Sequence, residues 1–243
     1  MATAIHAGTE LRPEIDDLLI LDRGSKRREE DPYTDRLVDV GSTRVVVSRS
    51  RFEVDLNRPR DRAVYQKPED AWGLEMWAAA PDPDVVERSL EVYDAFYAAM
   101  AERLDELVAD GPIVVLDLHS YNHRRGGPDS MPAAVEDNPE INIGTGPLDR
   151  RRWSAVVDVA IEELSATNVG GQPVDVRENV KFTGGHFSRW IAERYPTTAA
   201  VLAIEYKKTF MDEWTDDLDT GHLSELHGGL KRAADAIIDV LDR

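Results

Sequence analysis

Short apolar runs rich in β-branched residues recur along the chain, bounded by charged residues or by Gly and Pro. Runs of this kind are typical of buried strands. They occupy residues 44–47, 113–118, 141–143 and 199–204, and a shorter apolar segment at residues 2–5 precedes His6. The pattern therefore predicts at least four strands of a buried sheet.

Apolar residues spaced by three and four predict helices between these strands. The longest such stretch covers residues 84–109, with Asp82 as its N-cap and Pro83 at its first position. The same spacing predicts a helix over about residues 148–166, ended by Gly170 and Gly171, and another over residues 226–241. Alternating helices and strands predict an α/β fold with a mixed, mainly parallel central sheet and helices on both faces. The length of 243 residues fits one domain, residues 1–243.

Composition excludes several classes of function. The 47 acidic residues outnumber the 29 basic ones and give a net charge of −18, which repels nucleic acids and anionic membrane surfaces. Cysteine is absent, so disulfides, thiolate metal sites and a cysteine nucleophile are excluded. No apolar run approaches the roughly 20 residues that span a bilayer, and we expect a cytoplasmic protein without nucleic-acid or membrane partners.

Two of the six histidines lie where predicted strands end, His6 after residues 2–5 and His119 after residues 113–118. Strand ends direct side chains into a shared crevice, and imidazole is the commonest zinc ligand. A catalytic zinc site commonly adds a carboxylate, which Glu29, Glu30 or Asp31 could provide. A single histidine is more often a structural or surface residue. The residues alone therefore allow two interpretations, a metal site or unrelated structural histidines.

Three further features could carry chemistry. Glu205 ends the apolar run 199–204 and either faces solvent or serves as a general base. Arg58, expected to follow another strand, either binds a carboxylate bidentately or forms a surface ion pair. Residues 182–186, Phe-Thr-Gly-Gly-His, fit a tight turn or a substrate-binding loop.

Taken together, six short segments resemble the N-formylglutamate amidohydrolases, relatives of the zinc carboxypeptidases and aspartoacylases. They occur in the order found in that family and extend along nearly the whole chain. The segments are His6-Ala7-Gly8, Glu-Asp-Pro-Tyr-Thr-Asp-Arg-Leu at 30–37, Ser-Arg-Phe-Glu-Val-Asp-Leu-Asn-Arg-Pro at 50–59, Asp-Leu-His-Ser at 117–120, Phe-Thr-Gly-Gly-His at 182–186 and Ile-Glu-Tyr at 204–206.

The resemblance implies a zinc carboxypeptidase-like fold and hydrolysis of N-formyl-L-glutamate to glutamate and formate, the last step of one route of histidine catabolism. It implies one Zn²⁺, or another divalent ion, bound by His6, Asp31 and His119. Glu30, one position away, and Glu10 are alternatives for the acidic ligand. Glu10 is considered because the position three residues after the first histidine, where carboxypeptidases have a glutamate, is Thr9.

The resemblance also implies roles in catalysis and in binding of a small anionic N-acyl amino acid. Glu205 corresponds to the catalytic base, and Arg58 stabilises the oxyanion or binds substrate. The remaining residues expected to bind substrate are Asn57, Arg51, His186 and Arg189. Because the net charge opposes an anionic substrate, arginines such as Arg49, Arg51, Arg58 and Arg189 are expected to create a locally positive pocket.

Two alternatives remain open from the sequence. One is a related zinc amidase or carboxypeptidase acting on another N-acyl amino acid or a small peptide. The other is a metal-free binding protein with the same fold, since only five residues precede His6 and a shortened strand could weaken an edge of the sheet and the first ligand. The sequence does not indicate an oligomeric state.

Overall fold

A six-stranded sheet lies at the centre of the structure, a computed structural model that describes residues 1–242. The strands in chain order, including a separate two-stranded hairpin of β5 and β6, are β1 (Ala2–Ala4), β2 (Arg44–Val46), β3 (Ile113–Tyr121), β4 (Ile141–Gly144), β5 (Asn168–Val169), β6 (Gln172–Pro173), β7 (Val176–Glu178) and β8 (Ala199–Lys207). The central sheet has the order β2-β1-β3-β8-β4-β7.

All neighbouring pairs in the central sheet are parallel except β4 and β8, which are antiparallel. The predicted mixed, mainly parallel sheet is therefore confirmed. β1 lies between β2 and β3, and the Met1 amino group donates to the Val114 carbonyl oxygen at 2.8 Å. The short first strand is therefore an inner strand of the sheet, paired on both sides, and not an edge strand.

Helices pack on both faces of the sheet, as predicted. They are α1 (Pro13–Leu18), α2 (Arg23–Glu29), α3 (Pro83–Ala109), α4 (Ser154–Ser165), α5 (His186–Arg194) and α6 (Thr220–Leu241). The helices α3 and α5 share a core with Val115 of β3 and Val201 of β8. The helices α4 and α6 pack on the opposite face, against Leu116 and Leu202. Within residues 1–242, no helix is both long enough and apolar enough to span a membrane.

The long helix α3 forms where the apolar spacing predicts it. Its N-cap is Asp82, whose carboxylate accepts a hydrogen bond from the Asp84 amide at 2.9 Å, and Pro83 occupies the first turn. Tyr93, Met100 and Leu104 form the buried stripe of this helix. Local signals suffice here because the cap, the first-turn proline and the periodicity all favour the same structure.

Strands β3 and β8 continue three residues beyond the ends of their apolar runs. The parallel ladder pairs His119 with Glu205 and continues to Tyr121 and Lys207. Side chains of one strand alternate between the two faces of a sheet, so His119 and Glu205 project from adjacent strands on the side that carries α3 and α5. This extension places the two candidate catalytic side chains next to each other.

Other boundaries differ from those predicted. α4 begins at Ser154 rather than near 148, and Gly170 and Gly171 form the turn of the β5–β6 hairpin instead of ending the helix. Both glycines have positive φ, 56° and 80°, as such hairpin turns require. No strand directly precedes Arg58, because residues 51–53 and 56–57 form turns and residues 54 and 55 have no regular structure. The structure also contains α1, α2 and α5, none of which was predicted.

Candidate active site

Three buried side chains of metal-ligand type meet at the carboxyl ends of the central strands. His6, Asp31 and His119 offer ligand atoms that all lie within 4.8 Å of one another. Asp31 Oδ2 is 2.9 Å from His119 Nδ1 and 3.4 Å from His6 Nδ1, and the two ring centroids are 5.0 Å apart. Both imidazoles thus present the same ring nitrogen, Nδ1, towards one carboxylate.

Backbone contacts hold this cluster together. His6 directly follows the residues of β1, and His119 lies on the neighbouring strand β3. The Asp31 amide donates to the His6 carbonyl oxygen at 2.9 Å, which fixes the segment after α2 against the end of β1. The Thr34 hydroxyl donates to the Asp31 carbonyl oxygen at 2.8 Å. His6 and His119, which are 25 and 88 positions away from Asp31 in the sequence, are brought next to it in this way.

A second carboxylate lies behind each imidazole. His6 Nε2 is 2.8 Å from Asp55 Oδ1, and His119 Nε2 is 3.1 Å from Asp117 Oδ2. A carboxylate at the far nitrogen fixes the ring orientation and leaves the other nitrogen as a donor of electrons to a metal. Asp117 is itself held by the hydroxyls of Thr3 at 2.9 Å and Ser188 at 3.1 Å.

The close packing of these groups shifts their pKa values in opposite directions. Burial alone raises the pKa of Asp31, but hydrogen bonding to His119 and His6 brings it far below its ordinary value. Burial lowers the pKa of His119, yet the adjacent Asp117 and Asp31 carboxylates bring it well above its ordinary value. Without a bound cation, the acids therefore favour protonated His119, a positive charge that a metal ion would replace.

Asp55 is the centre of a buried hydrogen-bond network around His6. Its carboxylate accepts hydrogen bonds from Arg51 at 2.9 Å, from the Asn57 amide at 2.8 Å and from the Tyr65 hydroxyl. Although burial acts in the opposite direction, Arg51 and His6 hold the pKa of Asp55 well below its ordinary value. The Asp55 carboxylate thus supports His6 from within a buried hydrogen-bond network.

Glu205 lies beside the ligand cluster on β8. It is in register with His119 on one side and with Asn142 of β4 on the other. Burial raises the pKa of Glu205 to about 7; His119 opposes this rise, while Asp31 and Asp117 add to it. A carboxylate whose pKa lies near neutral pH can both accept and return a proton.

A cavity of about 410 Å³ opens over these groups, lined by His6, Asp31, His119 and Glu205. Arg51, Asn57 and Arg58 also line it, so the structure brings most of the predicted site residues together. His186 and Arg189 lie on α5 outside this lining, and Arg189 donates to the Gly184 carbonyl oxygen at 2.8 Å. Their predicted roles in substrate binding stay predictions.

Asn57 and Arg58 have defined partners at the cavity wall. Asn57 Oδ1 accepts a hydrogen bond from the Phe187 amide at 3.0 Å in the first turn of α5. A Cβ atom at Gly185 would lie 2.1 Å from Asn57 Oδ1, so only glycine permits this close approach. Arg58 donates to the Asp70 carbonyl oxygen at 3.1 Å, and its Nε is 3.6 Å from Asp55 Oδ2.

The alternative acidic ligands point elsewhere. Glu30 is buried and accepts a hydrogen bond from the Ser50 hydroxyl at 2.6 Å. Glu10 is exposed and accepts one from the Ser48 hydroxyl at 2.9 Å. Neither residue lines the cavity, whereas Asp31 does. The placement favours Asp31 among the three carboxylates.

Several cavity residues were missed by the sequence analysis, because their signals are long-range. Those with charged or aromatic side chains include Trp72, Tyr121, Arg125, Lys181 and Lys208. Ser120 and Asn122 also line the cavity, and within residues 1–242 the buried Ser120 Oγ and Asn122 Oδ1 have no hydrogen-bond partner. Ser120 belongs to the Asp-Leu-His-Ser segment, the one local signal that could have identified a member of this group.

Lys208 fixes the backbone on both sides of the α2 end. Its side chain is only 1% exposed, and Nζ donates to the carbonyl oxygens of Arg28 at 2.6 Å and Glu30 at 2.7 Å. Burial lowers the pKa of Lys208 to about 8. This ammonium group therefore stabilises the segment that leads directly into Asp31.

We expect Lys208→Met to reduce the free energy of unfolding by about 1–3 kcal/mol, because two buried carbonyl groups lose their donor. Denaturant unfolding monitored by circular dichroism measures this change. Lys67→Met, which removes the same charge from an exposed position, should leave the free energy of unfolding unchanged. Equal stability of the Lys208→Met and unchanged proteins would contradict this role of Lys208.

The donor set fits a divalent metal ion. Two imidazole nitrogens and one carboxylate oxygen form the protein part of many catalytic zinc sites, which keep a further coordination position open. The carboxylates Asp55 and Asp117 behind the imidazoles match the support that such ligands usually have. His6, Asp31 and His119 are the residues that could hold the ion.

Comparisons with known proteins agree with this geometry. A curated N-formylglutamate deformylase from Pseudomonas aeruginosa is 27% identical over 226 residues, which cover 86% of this chain and 80% of that protein. The crystal structure of an N-formylglutamate amidohydrolase from Ralstonia eutropha JMP134 has the same fold. Its TM-score is 0.76 at 18% identity, with 100% of this chain and 93% of that chain covered. A protein from Agrobacterium tumefaciens gives a TM-score of 0.67 at 16% identity, covering 100% and 91% of the two chains.

The family comparison covers most of the sequence. The sequence model of the N-formylglutamate amidohydrolases matches residues 1–211, a range that contains the whole ligand cluster, Glu205 and the cavity lining. The predicted resemblance and the predicted class of hydrolytic enzyme are thereby confirmed. This chain belongs to the N-formylglutamate amidohydrolase family.

Proposed function

We propose that this protein hydrolyses the formamide bond of N-formyl-L-glutamate to give L-glutamate and formate, with a zinc ion held by His6, Asp31 and His119. Family membership supports the substrate class. The observation that carries the proposal is the position of Glu205, which lies in register with His119 and shares the cavity with all three ligand candidates. A carboxylate base beside a set of metal ligands is an arrangement suited to metal-assisted hydrolysis of an amide.

The ligand residues set up the chemistry. When bound, a divalent ion supplies a Lewis acid that polarises a carbonyl group and makes water more acidic. His6 and His119 would bind it through Nδ1, and Asp31 through its carboxylate. Asp55 and Asp117 lie 2.8 and 3.1 Å from the far nitrogens of the two rings and would support them in this orientation.

Glu205 is assigned as the general base and then the general acid. Its carboxylate takes a proton from water as the water oxygen bonds to the formyl carbon. It returns that proton to the amide nitrogen, the carbon–nitrogen bond breaks, and glutamate and formate are released. A pKa raised by burial to about 7 lets the group perform both transfers near neutral pH.

We assign to Arg58 the binding of a negatively charged group close to the scissile bond. This group is either the α-carboxylate of the substrate or the developing oxyanion. Arg58 lines the cavity next to Asp55, the residue that supports His6. One donor to an oxyanion typically contributes roughly 3–4 kcal/mol of transition-state stabilisation. Asn57 lines the same wall, and its Oδ1 keeps the start of α5 in place.

The cavity also provides positive charge for an anionic substrate. A protein with a net charge of −18 repels an anionic substrate at long range. Five cationic side chains line the cavity, together with four carboxylates. Asp55 pairs with Arg51 and Glu29 pairs with Arg125, while Lys208 is buried on two backbone carbonyl groups. Arg58 and Lys181 are therefore the cations left to meet an anionic substrate.

Formate release tests this function. The zinc-loaded protein is expected to have its highest kcat/KM on N-formyl-L-glutamate in a panel that includes N-acetyl-L-glutamate and N-succinyl-L-glutamate, and to lose activity when the metal is chelated. Faster hydrolysis of an acetyl or succinyl compound would instead indicate a related amidase. A protein that binds no metal and hydrolyses none of the panel would contradict the proposal and favour a binding protein with this fold.

A further inference from the structure

The five cationic side chains of the cavity differ in how they are neutralised. They are Arg51, Arg58, Arg125, Lys181 and Lys208. Arg51 forms an ion pair with Asp55 at 2.9 Å, and Arg125 forms a bidentate pair with Glu29 at 3.2 and 3.1 Å. These two charges are already balanced by carboxylates of the protein.

Lys208 and Arg58 are also occupied, at least in part. Lys208 donates to two backbone carbonyl oxygens and is almost fully buried. Arg58 donates to the Asp70 carbonyl oxygen and lies 3.6 Å from Asp55 Oδ2, sharing that carboxylate with Arg51. Arg58 therefore retains part of its charge for a ligand, close to the residue that supports His6.

Lys181 stands apart from the other four. Its Nζ donates to Asn138 Oδ1 at 2.5 Å, and no carboxylate within residues 1–242 lies at ion-pair distance from it. Burial and the nearby Arg125 lower the pKa of Lys181, whereas Asp137 and Glu205 act to raise it. An anion bound at this position would give Lys181 the ion-pair partner that the described residues do not provide.

The backbone holds Lys181 firmly in place. The Lys181 amide donates to Asn142 Oδ1 at 2.8 Å, and Asn142 Nδ2 donates to the Phe182 carbonyl oxygen at 2.8 Å. Asn142 is fully buried and lies in register with Glu205. The ammonium group also lies 5.2 Å from the Tyr121 ring centroid and 5.7 Å from that of Phe182. Lys181 is an exposed residue whose backbone is tied to β4, the strand next to β8.

We infer that Lys181 binds the side-chain carboxylate of the substrate and thereby selects an acidic N-formyl amino acid over a neutral one. The inference rests on the proposed function. The α-carboxylate is two bonds from the scissile amide nitrogen, so it must stay near the ligand cluster, where Arg58 lies. The side-chain carboxylate is four bonds from that nitrogen and can reach a second cation of the cavity. Lys181 lines the same cavity and carries no ion pair with another described residue.

Measuring kcat/KM of several variants on two matched substrates tests this inference. The substrates are N-formyl-L-glutamate and N-formyl-L-glutamine, which differ in the charge of the side chain but hardly in its shape. Lys181→Met is expected to lower kcat/KM on the glutamate compound by about 10- to 100-fold and to leave the glutamine compound within about twofold. Lys181→Arg should restore most of the preference. Lys231→Met, an equal loss of charge at an exposed position of α6, should change neither value.

Two results would overturn the inference while leaving the proposed function intact. An equal loss on both substrates would show that Lys181 acts on a shared group or on the fold, and an unchanged preference would show that it does not contact the side chain. Should the unchanged protein hydrolyse neither compound, the proposed function fails. The role of Lys181 is then tested by calorimetry, which compares binding of N-formyl-L-glutamate to the unchanged protein and to Lys181→Met. The inference predicts weaker binding to Lys181→Met, and equal binding would refute it.

Discussion

Glu205→Gln is expected to slow formate release from N-formyl-L-glutamate by about 10²- to 10⁴-fold, the usual contribution of a general acid–base group. Glutamine has the same shape but cannot accept the proton of the attacking water or return it to the amide nitrogen. The fold should be retained, because Glu205 faces the cavity rather than the core. Metal content should also be retained, since the three candidate ligands are untouched.

Glu30→Gln is the matched control for this substitution. Glu30 is a buried carboxylate near the site whose side chain meets Ser50 instead of the cavity. It should keep near-normal kcat and metal content. Near-normal turnover of Glu205→Gln would remove Glu205 from the mechanism, and loss of metal from Glu30→Gln would shift the acidic ligand from Asp31 to Glu30.

His119→Ala is expected to lose its metal ion and, with it, hydrolysis. Substitution of residues that only support a ligand typically costs 10- to 100-fold in metal affinity, so loss of a ligand should cost more than about 100-fold. The change also leaves Asp31 without its contact at 2.9 Å, and Asp117 without the imidazole that lies 3.1 Å away. Elemental analysis of the purified variant measures the metal content.

His227→Ala provides the comparison, because His227 lies on α6 and pairs with Asp39 at the surface. It should retain one equivalent of metal. Full metal occupancy in His119→Ala would contradict the ligand assignment. Circular dichroism of both variants separates loss of metal from loss of fold.

Local sequence signals were enough for the parts of the fold that depend on local structure. Helix α3 has its cap, its proline and its apolar stripe within one segment, and the prediction is confirmed over nearly its whole length. The strand ends were not predictable, because β3 and β8 continue through polar residues. His119 and Glu205 remain in the ladder through pairing between distant segments, not through apolar character.

The short helices were missed for a related reason. Helix α5 has only nine residues; Phe187, Trp190 and Ile191 follow helical spacing, but the start of the helix is fixed by Asn57 through the Phe187 amide. Helix α2 lies in a charged stretch, and Lys208 binds carbonyl groups at its end. Both depend on partners far away in the sequence, which periodicity does not report.

The candidate site was predictable where a short motif carries the chemistry. His6, Asp31, His119 and Glu205 belong to segments shared with the family, and the structure brings them together. The supporting residue Asp55 lies inside one of these segments, but its role depends on contacts with His6 and Arg51 that only the fold creates. Among the cavity cations, Arg51 and Arg58 lie in a segment shared with the family and were predicted to bind substrate. Arg125, Lys181 and Lys208 belong to no motif that the sequence analysis used for binding.

Titration of the metal-free protein with zinc, followed by formate release from N-formyl-L-glutamate, tests the central claim most directly. One ion bound by His6, Asp31 and His119 predicts activity that rises in proportion to added zinc and reaches its maximum at one equivalent per chain. Formate release that is independent of zinc, or no release at any ratio of zinc to protein, would contradict it.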